Sequence, residues 1–185
     1  MYDVLSNPTL QYILIFAVLA GAMIKLFEKS GAMTGFSKIM TKLSNTPRKS
    51  MFLTWLLGGI IFIDDYLNAL AVSTTMKGIT DKHRIPREHL AYTVNSMGAC
   101  VCVLLPITSW AACAISTLQD TGYDKSVYIS AVPFMFYPIA AVIICLLLAM
   151  GIFPKLGNMK KAYERVEAGG DTLDEICLLY TSPSP

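Results

Sequence analysis

Hydrophobic positions along the chain gather into four long runs, separated by short connections that are basic or acidic, and this rhythm predicts transmembrane helices. The first run, 10–27, is predominantly apolar and closes on Lys25, Glu28 and Lys29, where a terminal lysine reaches toward the headgroups. Within it, Ala17 and Gly21 form a small-xxx-small pair suited to close helix contact. Residues 31–50 then change character. Phe36, Ile39, Met40 and Leu43 recur at helical spacing among Lys38, Lys42, Arg48 and Lys49, which predicts an amphipathic helix at the cytoplasmic surface, ended by Pro47.

The second run, 51–76, would be roughly 39 Å long as one helix, enough for a tilted span. Its flanks argue otherwise. The connection before it is basic, and the one after it carries Lys77, Lys82, Arg84 and Arg87 against only Asp81 and Glu88, so both ends belong on the cytoplasmic side. A re-entrant hairpin turning near Asp64 to Asn68 satisfies both flanks; a simple span is the alternative. His83 and His89 fall in the same connection and read as solvated loop residues. The third run, 90–118, is interrupted by Asn95, Ser96, Gly98, Pro106, Thr108 and Ser109 and reads as a broken helix, with Pro106 freeing an upstream carbonyl and Gly98 permitting unwinding. An acidic loop with Asp120 and Asp124 follows, and the fourth run, 127–153, crosses back with kinks expected at Pro133 and Pro138. The basic stretch 155–165 then lies inside.

Composition agrees with a membrane setting: 54% of residues are hydrophobic, mean hydropathy is +0.52, and the charged fraction is 15%, against about 25% in soluble proteins. The net charge of +2 is concentrated in the connections, so it reports topology and leaves no nucleic-acid footprint. Residues 1–9 include Asp3 but no Lys or Arg, so no cleavable leader is expected. Five cysteines, mostly embedded in apolar runs, do not form a secreted disulfide framework. Cys100 and Cys102, one residue apart and without a nearby histidine, read as packing residues in preference to a soft-metal site. The final ten residues, 176–185, follow no periodicity and are expected to be a non-native or disordered tail. The fold class expected is therefore all-α, multi-pass and integral to a cell membrane, plasma or inner and of bacterial type, with the transport domain over 1–175.

Candidate chemistry centres on Asp64 and Asp65. A lipid-facing charge costs about 2.5–3.5 kcal/mol on insertion scales, so adjacent intramembrane carboxylates point to a protein-enclosed path for something positive. In a helix Asn68 lies beside both carboxylates, and Asp64, Asp65, Asn68, Ser73, Thr74 and Thr75 offer oxygens of the kind hard cations take. Asn95, Ser96, Thr108 and Ser109 could complete a shell from the broken helix. A solvated turn or a helix N-cap is the plainer role for the aspartates, as is bonding to their own helix for the hydroxyls. Adjacent carboxylates resist double ionisation, so one holds a proton or shares a cation, and sodium and protons then compete.

The stretch 62–112, FIDDYLNALAVSTTMKGITDKHRIPREHLAYTVNSMGACVCVLLPITSWAA, resembles the sodium/proton antiporter family of the NhaC type. The likeness rests on an Asp-Asn block, a Thr-Asp-Lys, Arg-Glu and Leu-Ala-Tyr loop and a Pro-Ile-Thr-Ser-Trp block, and extends more loosely over 10–165. The resemblance implies a fold of the ion-transporter superfamily, with two inverted repeats each holding a hairpin and a discontinuous helix. Because members are more than twice this length, the chain reads as an internal piece of about one repeat. Asp64, Asp65, Asn68, Asn95, Ser96, Thr108 and Ser109 carry over as pathway residues. The implied function is exchange of sodium for protons, with sodium placed at Asp64, Asp65 and Asn68 and no cofactor. Partners would be the lipid bilayer and, as a homodimer, a second copy. The alternative is ion-coupled carriage of a small organic anion or amino acid; a non-transporting scaffold is more distant. An intramembrane aspartyl protease is set aside, because its aspartates sit on separate helices, so no enzyme is expected.

Overall fold

The computed structural model describes residues 8–62 and 64–172, and the described residues are all α-helical with no strand. The 176–185 tail, most of the N-terminal segment 1–9, and Ile63 lie outside them. Helix α1 (Pro8–Lys29) passes through Gly31, at φ 68°, into α2 (Ala32–Leu43). The single amphipathic helix expected over 31–50 is two helices. Ser44 leaves the helical region at φ −98° and ψ 75°, and α3 (Pro47–Ile60) starts anew behind Thr46, whose hydroxyl accepts from the Lys49 N–H at 3.3 Å. Pro47 opens this helix, where its missing N–H is not required, and does not close the one before it. Nor does α2 lie free on a surface. Met40 is buried in a cluster with Leu57, Val72, Met76, Ile79, Leu90 and Val94, and the Ser37 hydroxyl donates to the Thr75 carbonyl at 3.2 Å.

Helix α3 and α4 (Asp65–Lys82) form an antiparallel hairpin around a four-residue break, 61–64. Leu53 and Leu57 on α3 pack with Val72 and Met76 on α4, and a His83 ring nitrogen lies 2.9 Å from the Ser44 carbonyl oxygen, which brings the two open ends together. Arg48, Lys49, Lys82 and Arg84 therefore collect at one end of the molecule. Helix α5 (Arg87–Leu104) starts from that end, unwinds at 105–108, and continues as α6 (Ser109–Asp120). Leu105 is extended, at φ −96° and ψ 126°, because the ring of Pro106 crowds the preceding residue out of the helical region. Gly98 does not unwind the chain; it is helical and serves close packing.

The return path is α7 (Ser126–Ala131), a 3-10 turn (Val132–Phe134) and α8 (Phe136–Ala149), with one 52° bend in place of two kinks. Pro138 accounts for it: its ring would collide with a helical carbonyl at Phe134, so the helix restarts at Phe136. By length and composition the described residues contain one stretch able to cross a membrane, the 34 residues Arg87–Asp120, or two if the bent pair counts as one.

Helix α9 (Gly157–Glu167) folds against the first turn of α5. Arg165 pairs with Glu88 at 2.7 Å, Arg87 with Asp81 at 2.9 Å, and Thr172 bonds both Asp81 and the Arg87 N–H. The guanidinium of Arg87 beside Asp81 holds that carboxyl below the usual carboxylate range. His89 is not solvated; it is 3% exposed, its Nδ1 lies 2.7 Å from the Tyr163 hydroxyl, and burial pushes that phenol up to about 12.

Candidate functional site

The two helix breaks meet. Phe62, in the hairpin break, accepts through its carbonyl from the buried Cys102 thiol at 3.3 Å, and Asp64 accepts from the Ser109 hydroxyl at 3.3 Å. Four helix ends thus converge: the C-termini of α3 and α5, with their free carbonyls, and the N-termini of α4 and α6, with their free N–H groups.

Asp64 is the N-cap of α4, extended at φ −150° and ψ 141° and 7% exposed. One carboxylate oxygen accepts from the Tyr66 and Leu67 N–H groups at 3.0 and 3.1 Å; the other takes the Ser109 hydroxyl. Backbone donors, the positive end of α4 and a hydroxyl thus converge on this one carboxyl group. Asp65, in the first turn of the helix and half-buried, accepts only the Tyr66 N–H, at 3.0 Å. The adjacent carboxylates therefore sit in different surroundings: one is fully engaged, the other is open.

Asn68 is completely buried. Its amide nitrogen donates to the Gly58 and Ile61 carbonyls at 2.7 and 2.6 Å, closing the end of α3, while its Oδ1 has no partner among the described residues. Thr108 caps α6, accepting from the Ala111 N–H at 3.2 Å and donating to the Cys102 and Leu105 carbonyls. Asp64, Asp65, Asn68, Thr108 and Ser109 are thus brought together around the breaks. Thr74, Thr75, Asn95 and Ser96 are not. Thr74 is exposed and back-bonds to Leu70 at 2.6 Å; Thr75 is buried toward α2, about 16 Å along the axis from Asp64. Asn95 is exposed on the outer face of α5 with Tyr92, and Ser96 pairs with Tyr92 and Cys145.

Sequence reasoning missed several supporting residues. Tyr128 on α7 donates its hydroxyl to the Val103 carbonyl at 2.6 Å, satisfying the end of α5 at the break. A Cβ on Gly98 would lie 3.5 Å from the Asp65 carbonyl oxygen and 3.6 Å from the Asn68 Cγ, ordinary contact distances, so α5 packs against the hairpin tip here with room for one methyl group. Gly58 meets Met97 more tightly still. The glycines in these runs were the available signal; the tyrosine left none. Among the described residues no group of three or more His, Cys, Asp or Glu side chains is placed to hold a metal ion, so any cation here would rely on mixed carboxylate, amide and carbonyl oxygens. Two shallow grooves of about 390 and 340 Å³ lie far from the breaks, at the basic end, where Lys155 and Tyr163 line both.

No protein-family model matches the chain, and no solved structure matches it. Over 106 residues it is 32% identical to an uncharacterized protein of Haemophilus influenzae (strain ATCC 51907 / DSM 11121 / KW20 / Rd), a match covering 57% of this chain and 20% of that protein. The chain therefore spans about a fifth of the length of the curated relative it matches.

Proposed function

We propose that the chain is part of a secondary active transporter of the cell membrane, a cation/proton antiporter that exchanges sodium for protons at the meeting of the two helix breaks. The observation carrying this reading is the buried Asp64 at the crossing, with Asp65 open beside it and the Asn68 carbonyl oxygen unpartnered. Broken helices expose backbone groups, and at membrane depth these are tolerated only where protein or a wet cavity receives them. The chemistry follows from the difference between the carboxylates. Asp64 is held in place by its N–H donors and the Ser109 hydroxyl and organises the site. Asp65 is free to take either a proton or, with Asn68 Oδ1, a sodium ion, and exclusive occupancy couples the two fluxes.

The convergence of two helix N-termini favours an anion and so supports the second reading, a carrier of a small organic anion or amino acid. Asp64 already occupies that positive field, which favours the cation. The segregation of Arg48, Lys49, Lys82, Arg84 and the 155–165 stretch from the acidic 120–124 loop supports an inside-facing basic end.

The test uses a full-length protein containing this segment, in vesicles loaded with a pH-sensitive dye. Sodium pulses should release protons with an apparent affinity that falls as pH falls, and Asp65→Asn should abolish the signal. Proton release by Asp65→Asn equal to that of the unsubstituted protein would remove this site from the coupling.

A further inference from the structure

Helical threonines in this chain occupy their own hydroxyls. Those of Thr41, Thr54, Thr74, Thr80 and Thr117 each donate to the carbonyl four residues earlier. Thr93, in the middle of α5 and 0% exposed, does not: its Oγ1 has no partner among the described residues. One turn earlier on the same face, His89 uses Nδ1 on Tyr163 and leaves a buried Nε2 without a partner among the described residues. One turn later, Met97 meets α3 at Gly58. Both helices run away from the basic end, so a register counted back from that contact in turns of four puts Thr54 level with Thr93 and Ser50 level with His89. Ser50 and Thr54 are also 0% exposed; Thr54 donates to the Ser50 carbonyl, which leaves its hydroxyl lone pairs as acceptors, while Ser50 donates to the Thr46 carbonyl and also bonds the Ser44 hydroxyl. At the far end of this seam stands Asn68 Oδ1, a third orphan, 3.9 Å from the Cβ position of Gly58.

We propose that the seam between α3 and α5 is hydrated, holding a file of internal water that bonds His89 Nε2, Thr93 Oγ1 and the Thr54 hydroxyl, reaches Asn68 Oδ1, and relays protons between the basic end and the carboxylates. Water is the ligand that fits, because the orphans comprise both donors and acceptors and one water serves each. Met97, 1% exposed and flexible, lies along α5 between Thr93 and Asn68 and is where the file narrows. Each hop breaks one O–H bond and forms another on the neighbouring oxygen, so proton count and charge balance once a proton has entered at one end and left at the other, and the waters and hydroxyls then rotate back before the next transfer. The groups around His89 are Tyr163, with Lys155 over its ring, and the Glu88–Arg165 pair. The relay rests on the antiporter reading; the hydration does not.

The experiment compares unsubstituted, Thr93→Val and Thr93→Ser forms of a full-length protein containing this segment. If water bonds the hydroxyl, Val strands that water's other partners and lowers Tm by about 2–4 °C, as loss of one buried hydrogen bond does at this size. Sodium-driven proton release should slow several-fold, while Ser keeps both near their original values. A rise in Tm for Thr93→Val means that a dry, unsatisfied hydroxyl was removed and overturns the proposal. A fall in Tm with unchanged proton release overturns the relay. X-ray radiolysis of the unsubstituted protein gives a reading free of any variant: bound water should make buried Met97 oxidise alongside exposed Met150, and an unmodified Met97 overturns the hydration. If the unsubstituted protein moves no protons in response to sodium, the antiporter reading fails, and melting and radiolysis still decide the hydration.

Discussion

Adding one methyl group to either of two glycines should move stability in opposite directions. At Gly98 a Cβ would find its nearest neighbours at 3.5 and 3.6 Å, ordinary contact distances, so Gly98→Ala gains helix propensity without displacement. That gain is about 0.5–1 kcal/mol. At Gly58 the same atom would lie 2.8 Å from Met97 Cβ, so α3 and α5 must separate by about 0.6 Å to reach normal contact. Overpacking of this kind costs about 1–3 kcal/mol, which exceeds the propensity gain. Converted at about 2–4 °C per kcal/mol, Gly98→Ala should melt a few degrees higher and Gly58→Ala several degrees lower. The clash is with Cβ itself, so shortening the neighbour by Met97→Ala should not rescue Gly58→Ala. Thermal melts of the purified protein in detergent decide the matter. Gly58→Ala melting at or above Gly98→Ala would refute the close approach of α3 and α5, and with it the register that places Asn68.

Other outcomes follow from the same geometry. Ser109→Ala removes one of three donors to Asp64 and should weaken sodium-driven proton release less than Asp65→Asn does, while Asp64→Asn should shift its pH dependence; dye-loaded vesicles across pH 6–9 separate the three. Single cysteines at Thr46 and Lys82 in a Cys-free background should react with an impermeant thiol reagent from the same side, since the open ends of the hairpin adjoin, and labelling from opposite sides would refute it. Asp81 has its carboxyl held low by Arg87, so its contribution to stability is complete above the unfolded carboxylate value and is lost as pH falls through the folded one. Melts should accordingly show a drop below about pH 4 that Arg87→Ala makes shallower.

Much of the helix order could be read from residues whose local effect is decisive. Pro106 fixed the break at 105–108 through its neighbour, and Pro138 the bend at Met135, because a missing N–H and a ring act within one turn. Pro47 was read with the wrong sense, since the same properties that end one helix suit the first residue of the next. Asp64, Asp65 and Asn68 stood out because charge and amide groups are costly in an apolar run. Asn95 and Thr74 share that polarity, but polarity alone does not say which face a residue occupies. Tyr128 and Cys102 were invisible because their roles depend on carbonyls 25 and 40 residues away. His89 was misjudged for the same reason: its burial comes from α9, 74 residues further along.

The polar contacts at the two breaks divide unevenly. Asn68 holds Gly58 and Ile61 within the hairpin, and Thr108 and Tyr128 hold Cys102, Leu105 and Val103 within the other unit, so each break is braced by its own side. Among the described residues, bonds that tie one unit to the other there include Cys102 to Phe62, from a weak thiol donor, and Ser109 to Asp64, long for a hydroxyl at 3.3 Å. Mechanically this is a pair of separately braced bodies whose joint is mainly apolar. Sliding the hairpin past α5 and α6 would cost the packing of Leu57, Val72 and Met76 on Leu90 and Val94 and the Gly58–Met97 contact as well as these hydrogen bonds, yet it would leave both broken helices intact, so Asp64 and Asp65 would travel as passengers of the hairpin, carrying their immediate backbone surroundings with them.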